Sequence, residues 1–513
     1  MFKFLRPRRS DGSPSLGLTQ KTLARACAIL FFLSLFPLVI IALYNYPADD
    51  DFSLTFHVAQ VWVQTGSLWQ LVKAIFEKTR EIYLTWQGNF VSTALFNVIP
   101  IHFGLRWYFL SAWAILSLLC LSIGYMVKGA TRSLLQADKS VFWIVYTVFI
   151  TLTLQFMPSI GYSVYWHNGG MYTVAACTLF FLQGLLCRCL LPQSRPRALL
   201  RGFGAALTGF MLGGSFFGPM LGAFVLVLLE TVAAFVKRSK NRPYCALALG
   251  FFLLSMAVSV CAPGNLLRQE RTGETLSPLM AIVVSMKDSF EVAGSFLTPQ
   301  VLGGLLLICP VLWLPLKKSR YAFAHPLGVT VMFYGLFSAA LVPGVFTGFG
   351  YTTERYYNVI YFYFLLMAIA SAVYAEGALI RFLERRKDYP IQISDRLGQR
   401  FTAGYLALCL GLFALGGFAY PIMNTSSISA SRSLLTGQAA RFREEMAQRE
   451  EYILHTPEDE LTIEPIADQP YVFKEDKLPW QGKYGRLLYM KWYYEMFFYA
   501  DLAKENAAQG GDS

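Results

Sequence analysis

Charge is what this sequence has least of. Only 15% of its 513 residues are Asp, Glu, Lys or Arg, against about 25% in soluble domains. Histidine is rare, and the nine cysteines all fall within or beside apolar runs, leaving the long polar C-terminal stretch with none. No disulfide framework can be built from that distribution, and no pair of CxxC motifs suggests zinc. The cysteines read as small packing residues. There is no P-loop, no HExxH and no GxSxG in a strand–turn–helix setting, so none of those motif-borne chemistries is supported. No repeat of fixed period is present, which weakens an inverted-repeat transporter reading.

What is abundant is apolar surface. Hydrophobic residues make up 55% of the chain and aromatics 16%, as suits a protein with two lipid–water interfaces to anchor. The formal net charge of +12 does not point to nucleic acid, because the basic residues cluster in short segments between apolar runs. That is the pattern of loops retained in the cytoplasm, not of one basic face.

The apolar runs predict about eleven transmembrane helices, at about 26–44, 107–127, 141–157, 169–187, 202–216, 218–236, 244–262, 298–316, 325–345, 358–380 and 401–420. No small-x-small cleavage site follows the first, so it reads as an uncleaved anchor. In the stretch 202–236, Gly213, Gly214, Gly218 and Pro219 predict a tight break between two short helices. The fold class expected is therefore all-α and polytopic. A basic cytoplasmic N-terminus (1–25) precedes a transmembrane domain (26–420), and an extracytoplasmic tail (421–513) follows it. Counting Lys and Arg tests the parity. Segments assigned to the cytoplasm hold 26, the outer loops before the tail hold 8 over much more chain, and the tail holds 10. The bias supports an inner-membrane protein with its N-terminus inside and its C-terminus outside.

The first outer loop, 47–106, carries apolar residues at helical spacing from Phe52 to Phe76, which predicts a helix lying in the interface. The aromatic run Trp492–Tyr499 is expected to dock on the membrane surface. Glu230 and Glu376 fall near cytoplasmic helix ends and read as interfacial.

Chemistry concentrates in the outer segments. Asp49, Asp50 and Asp51 follow the first span directly. Three adjacent carboxylates repel, so one should have a raised pKa unless a divalent cation or donors compensate. Such a group serves as a general base, as a metal ligand or simply as a solvated helix cap. Trp86-Gln87-Gly88-Asn89-Phe90 offers an aromatic face and an amide for a sugar or headgroup. His167 and Asn168 open a span beside two glycines, where a phosphate or a proton could be handled, or where Asn merely caps. Ala262-Pro263-Gly264-Asn265 leads to Arg268, and Glu354-Arg355 opens another span. Arginine at the outer face suits a planar fork onto phosphate, or interfacial snorkelling.

In order and spacing these motifs resemble the GT-C superfold of membrane glycosyltransferases, and more closely a poorly characterised bacterial family of such proteins. The resembling elements are Asp50-Asp51-Phe52, Trp86–Phe90, Ala262–Asn265 with Arg268, Glu354-Arg355 and Lys491-Trp492-Tyr493-Tyr494. The resemblance implies a polyprenyl-phosphate sugar entering from the bilayer and an extracytoplasmic glycan or lipid acceptor of the cell envelope. It implies Asp50 as the base, with Asp51 second, and Arg268 and Arg355 on the lipid phosphate, with His167 helping. Trp86, Asn89, Asn168, Asn265 and Glu354 are the remaining candidate substrate contacts. Asn89 stands where the better-known pattern has arginine, and three acidic residues stand where it has two. A transporter or flippase for lipid-linked saccharides, or a non-catalytic assembly protein, is the alternative.

Overall fold

A computed structural model describes residues 20–272, 276–319, 321–348, 350–385, 408, 411–412, 422–475, 480–481 and 485–509. Most of the basic N-terminus and nearly all of the predicted span 401–420 lie outside the described residues.

Among the described residues the regular structure is helical, apart from a two-residue strand pair joining Thr462–Ile463 to Trp480–Gln481. Eight described helices or helical runs are long and apolar enough to cross a membrane. Their main helices are α1 (Gln20–Ile41), α6 (Phe109–Lys128), α7 (Lys139–Phe156), α8 (His167–Arg188), α10 (Phe217–Val236), α11 (Arg242–Val260), α14 (Pro299–Lys318) and α17 (Glu354–Glu384). Between them lie α2 (Asp50–Ser53), α3 (Phe56–Thr65), α4 (Leu68–Thr85), α5 (Phe90–Phe96), α9 (Arg195–Gly213), α12 (Pro263–Thr272), α13 (Pro278–Phe296), α15 (Pro326–Ala339) and α16 (Val342–Phe346). The tail contributes α18 (Ser426–Leu435), α19 (Gln438–His455) and α20 (Gly485–Gln509).

Two predicted spans depart from the simple pattern. Arg195, Arg197 and Arg201 load the first turns of α9 with charge, so it is not among the eight. It nevertheless runs alongside α11, with Gly209 and Gly213 set against the carbonyls of Ala248 and Phe252, where a Cβ would not fit. Small residues at such a seam let two backbones approach. The stretch predicted as 325–345 breaks after Ala339, leaving a helix of 14 residues. Tyr356 donates to the Ala340 carbonyl and Tyr374 to that of Ala324, so this short segment still follows α17 from one residue to the other. That is about 27 Å at 1.5 Å per residue. The break between α9 and α10 falls at 214–216, beside the glycines that predicted it.

The predicted interfacial helix over Phe52–Phe76 is two helices. Gly66, with φ +59°, ends α3, and Ser67 caps α4 by accepting from Gln70 N. Along α4, Leu71, Ala74, Ile75 and Ile82 face inward, while Leu68, Trp69 and Phe76 are exposed. The tail differs from expectation as well. Tyr493 and Tyr494 are not at a surface but buried edge-on to Phe52, with ring centroids 5.5 and 5.7 Å away. Lys491 explains how the tail reaches there. Its buried ammonium donates to the carbonyls of Ile453, Leu454 and Thr456, capping the C-terminal end of α19. Glu376, expected at an interface, is 7% exposed, beside the Cys309 thiol.

Candidate active site at the aspartate triplet

The C-terminal end of α1 and the N-terminal ends of α6, α8 and α17 meet around Asp49–Asp51, and each carboxylate turns to a different partner. Asp49 has φ +45°, an uncommon conformation for a residue with a Cβ. Its Oδ2 is 2.6 Å from Lys474 Nζ of the tail. Asp50 Oδ2 accepts from Asn168 Nδ2 at 2.8 Å and lies 3.8 Å from an Arg355 guanidinium nitrogen. Asp51 is fully buried. Its Oδ2 accepts from the Tyr108 hydroxyl at 2.5 Å and from Ala48 N at 3.3 Å, while Oδ1 accepts from Asn168 N at 3.3 Å.

The repulsion expected of three adjacent carboxylates is therefore relieved by separate partners, and the triplet does not converge on one point. Among the described residues no group of three or more His, Cys, Asp or Glu side chains could hold a metal ion. Burial pushes the Asp51 pKa up to about 7, and neighbouring Asp50 adds to the rise. The hydrogen bonds from Tyr108, Ala48 and Asn168 oppose it. Asp51 is the member of the triplet with the raised proton affinity, whereas Asp49 and Asp50 are both partly exposed, at 22% and 18%.

The sequence folds this way because α8 begins at His167. Its second residue presents a backbone N–H to Asp51 and a side-chain amide to Asp50, and the positive end of the helix dipole favours the charged form of each. His167 N donates to the Tyr108 hydroxyl, which in turn donates to Asp51. The His167 ring faces elsewhere, with Nε2 donating to the Phe96 carbonyl and Nδ1 buried without a hydrogen-bond partner. It does not reach the arginines through any described contact, so its place is behind the site.

A cationic, aromatic-walled region adjoins Asp50. The Arg355 guanidinium lies 5.1 Å from the Trp166 ring and 5.7 Å from that of Tyr172, which stacks on Phe216 at 3.9 Å. Arg268 lies 5.1 Å from the Trp86 ring and donates to Gln87 Oε1. Burial holds its guanidinium below the usual arginine pKa; Tyr172 opposes the shift, and the Arg355 charge adds a smaller contribution to it.

The two loop motifs predicted as substrate contacts interlock instead. Gly88 N donates to Asn265 Oδ1, and Ser259 Oγ donates to the Gly88 carbonyl. Asn265 Nδ2 donates to the carbonyls of Ser259 and Val260 at the end of α11. Asn265 is thus a clasp that holds Trp86 and Arg268 together. Asn89 is 1% exposed and leaves its amide without a hydrogen-bond partner at the start of α5. Glu354 is the first residue of α17, where a carboxylate suits the helix dipole.

The structure thus gathers Asp50, Asp51, Asn168 and Arg355 at one place, with Trp86 and Arg268 beside it. Sequence reasoning missed Tyr108, Lys474 and Tyr493. Tyr108 is indistinguishable in sequence from an interfacial aromatic, and Lys474 from a solvated tail residue. Tyr493 stood inside a noted motif, but its distance of 3.5 Å from His102 Nδ1 has no sequence signal.

The chain matches no family model, no curated protein and no solved structure.

Proposed function

We propose that this protein is a membrane glycosyltransferase. In this reading it moves a sugar from a polyprenyl-phosphate donor to a cell-envelope acceptor by inverting displacement at the extracytoplasmic face of a bacterial plasma membrane. The observation that carries the reading is Asp50, a partly exposed carboxylate held by Asn168 next to Arg355. An acceptor hydroxyl gives its proton to Asp50 as its oxygen bonds to the anomeric carbon. The bond from that carbon to the phosphate oxygen breaks, and the phosphate leaves with the electron pair. Arg355 and Arg268 then neutralise the charge that develops. Asp51, pinned by Tyr108, fixes the turn that aims Asp50. The excess of Lys and Arg in the opposite loops supports placing this end outside the cell.

The test uses purified protein in lipid, offered polyprenyl-phosphate sugars, with release of polyprenyl phosphate followed over time. Asp50→Asn should cut release by roughly 10²–10⁴-fold, the range for a lost general base. Wild-type release from that variant refutes the mechanism.

One observation favours the transporter or flippase alternative. Glu376 is a buried carboxyl within a helix of spanning length, a feature often found on ion or proton pathways. Absence of release by folded wild-type protein with any donor, together with Glu376→Gln abolishing movement of a lipid-linked saccharide across vesicles, would establish that alternative.

A further inference from the structure

The tail sends a cation to the residue next to the base. Lys474 Nζ lies 2.6 Å from Asp49 Oδ2, with the two side chains only 10% and 22% exposed. Water screens a pair at that depth weakly, so removing one partner strands a charge. The segment that carries Lys474 is fixed to the rest of the protein. Gln469 Nε2 donates to the Lys474 carbonyl at 2.9 Å, and Gln438 Nε2, at the start of α19, donates to the Gln469 carbonyl. Phe473 is buried, 5.4 Å from the Tyr165 ring and 5.3 Å from that of Phe442. Its carbonyl packs on Gly161, where an added Cβ would lie 2.4 Å from the oxygen.

What Lys474 meets is the turn that aims the base. Asp49, at φ +45°, holds a conformation that needs support from its surroundings. Its carbonyl accepts from Phe52 N, opening the short helix of which Asp50 is the first residue. One residue earlier, the Ala48 carbonyl accepts from Trp166 Nε1 at 3.1 Å. The Lys474 ammonium and the Arg355 guanidinium each lie 5.1 Å from that Trp166 ring, so the tail and α17 meet on one indole.

Charge points the same way. The turn itself contributes Asp49, Asp50 and Asp51. Arg355 faces it from α17 and Lys474 from the tail, with Arg449 and Glu475 beside Asp49. Tyr108 of α6 faces Asp49 and Asp51, and Tyr493 of α20 faces Asp51. Without Lys474, Asp49 would set an uncompensated negative charge one residue from Asp50. We propose that Lys474 is a positioning residue of the active site, reaching from the tail to neutralise Asp49 and to hold the turn that presents Asp50. The proposal rests on the transferase reading for the role of Asp50.

The test compares full-length wild type with Lys474→Met, Asp49→Asn and the double variant in lipid nanodiscs, each shown to be folded by its thermal midpoint. Asp49→Asn breaks the bridge from the other side and keeps the test available should Lys474→Met fail to fold. Polyprenyl-phosphate release is followed across pH, and hydrogen exchange across residues 45–53. Each single variant should lower kcat by about ten- to a hundredfold, with the donor KM nearly unchanged because both arginines remain. The acid limb of the pH–rate profile should move up by about one unit in Lys474→Met, where Asp49 disfavours an ionised base. It should move down by about one unit in Asp49→Asn, where the stranded ammonium favours one, and return to the wild-type position in the double variant. A merely structural anchor would slow both single variants without opposite shifts. Shifts of one sign, no shift, or wild-type kcat in Lys474→Met overturn the proposal. Hydrogen exchange separates the two claims. Faster exchange across the turn in the single variants, with no release by wild type, would refute the transferase and leave Lys474 standing as the anchor of the turn. Unchanged exchange there overturns the anchor whether or not the protein turns over.

Discussion

Replacing Asp51 with Asn tests whether this carboxyl holds a proton in the folded protein. Asn is nearly isosteric and cannot ionise, and because Tyr108, Ala48 N and Asn168 N all donate to Asp51, its NH2 leaves one of the backbone N–H groups without an acceptor at every pH. Burial raises the Asp51 pKa from 3.8 to about 7. The folded state thus binds this proton more tightly than the unfolded state does. Stability must then fall as pH rises from about 4 to about 7, and stay level above that. A rise of about three units corresponds to about 4 kcal/mol as a ceiling, at 1.36 kcal/mol per unit. Asp51→Asn carries no such penalty. Its midpoint carries a constant offset from the lost acceptor, and relative to the wild type it should rise steadily from pH 4.5 to pH 8, by on the order of 5 °C. Intrinsic fluorescence of the 10 tryptophans, followed at one fixed scan rate in detergent or nanodiscs between pH 4.5 and 8.5, measures this. A fixed scan rate matters because membrane proteins commonly unfold irreversibly. A midpoint difference that stays constant across the range would refute the reasoning, and so would one that turns against the variant with rising pH.

Two further predictions concern the parts that hold the site in place. In Gly88→Ala the new Cβ would lie 1.8 Å from the Ser259 carbonyl oxygen, which is backbone and cannot rotate away. The variant should lose about 1–3 kcal/mol or more and unclasp Trp86 from Arg268, read as a lower midpoint and more quenchable tryptophan fluorescence. Unchanged values would mean that the two motifs are not in contact. Lys491→Met strips three carbonyls at the end of α19 of their donor, at a cost of about 1–3 kcal/mol. Hydrogen exchange should quicken at the end of α19 and along α20. Equal protection in wild type and variant would argue against the cap.

The extent to which the site was readable in advance differs residue by residue. The acidic triplet, Asn168, Arg268 and Arg355 were all singled out from residue type and place in the chain, because each sits where an apolar run begins or ends. What could not be read was their division of labour. Asp50 and Asp51 are neighbours of identical chemistry, and they differ only because the Tyr108 hydroxyl, 57 residues on, reaches one and Arg355 the other. Asn265 looked like a substrate contact because it follows a Pro-Gly turn next to an arginine, and its side chain proves to be occupied by three backbone groups.

The sequence by itself determined the helical, span-rich character of the chain, since hydrophobic length is a local property that accumulates along a few consecutive turns. It also determined where that character weakens, with arginines in the first turns of α9 and Pro343 soon after the end of α15. Only the tertiary structure decided that the tail belongs to the site. Lys474 reaches Asp49 across more than 400 residues, and Tyr493 and Tyr494 close over Phe52. Such pairings follow from the direction and burial of side chains brought together by folding. A hydrogen bond or ion pair acts over a few ångströms in space, and sequence separation carries no record of it.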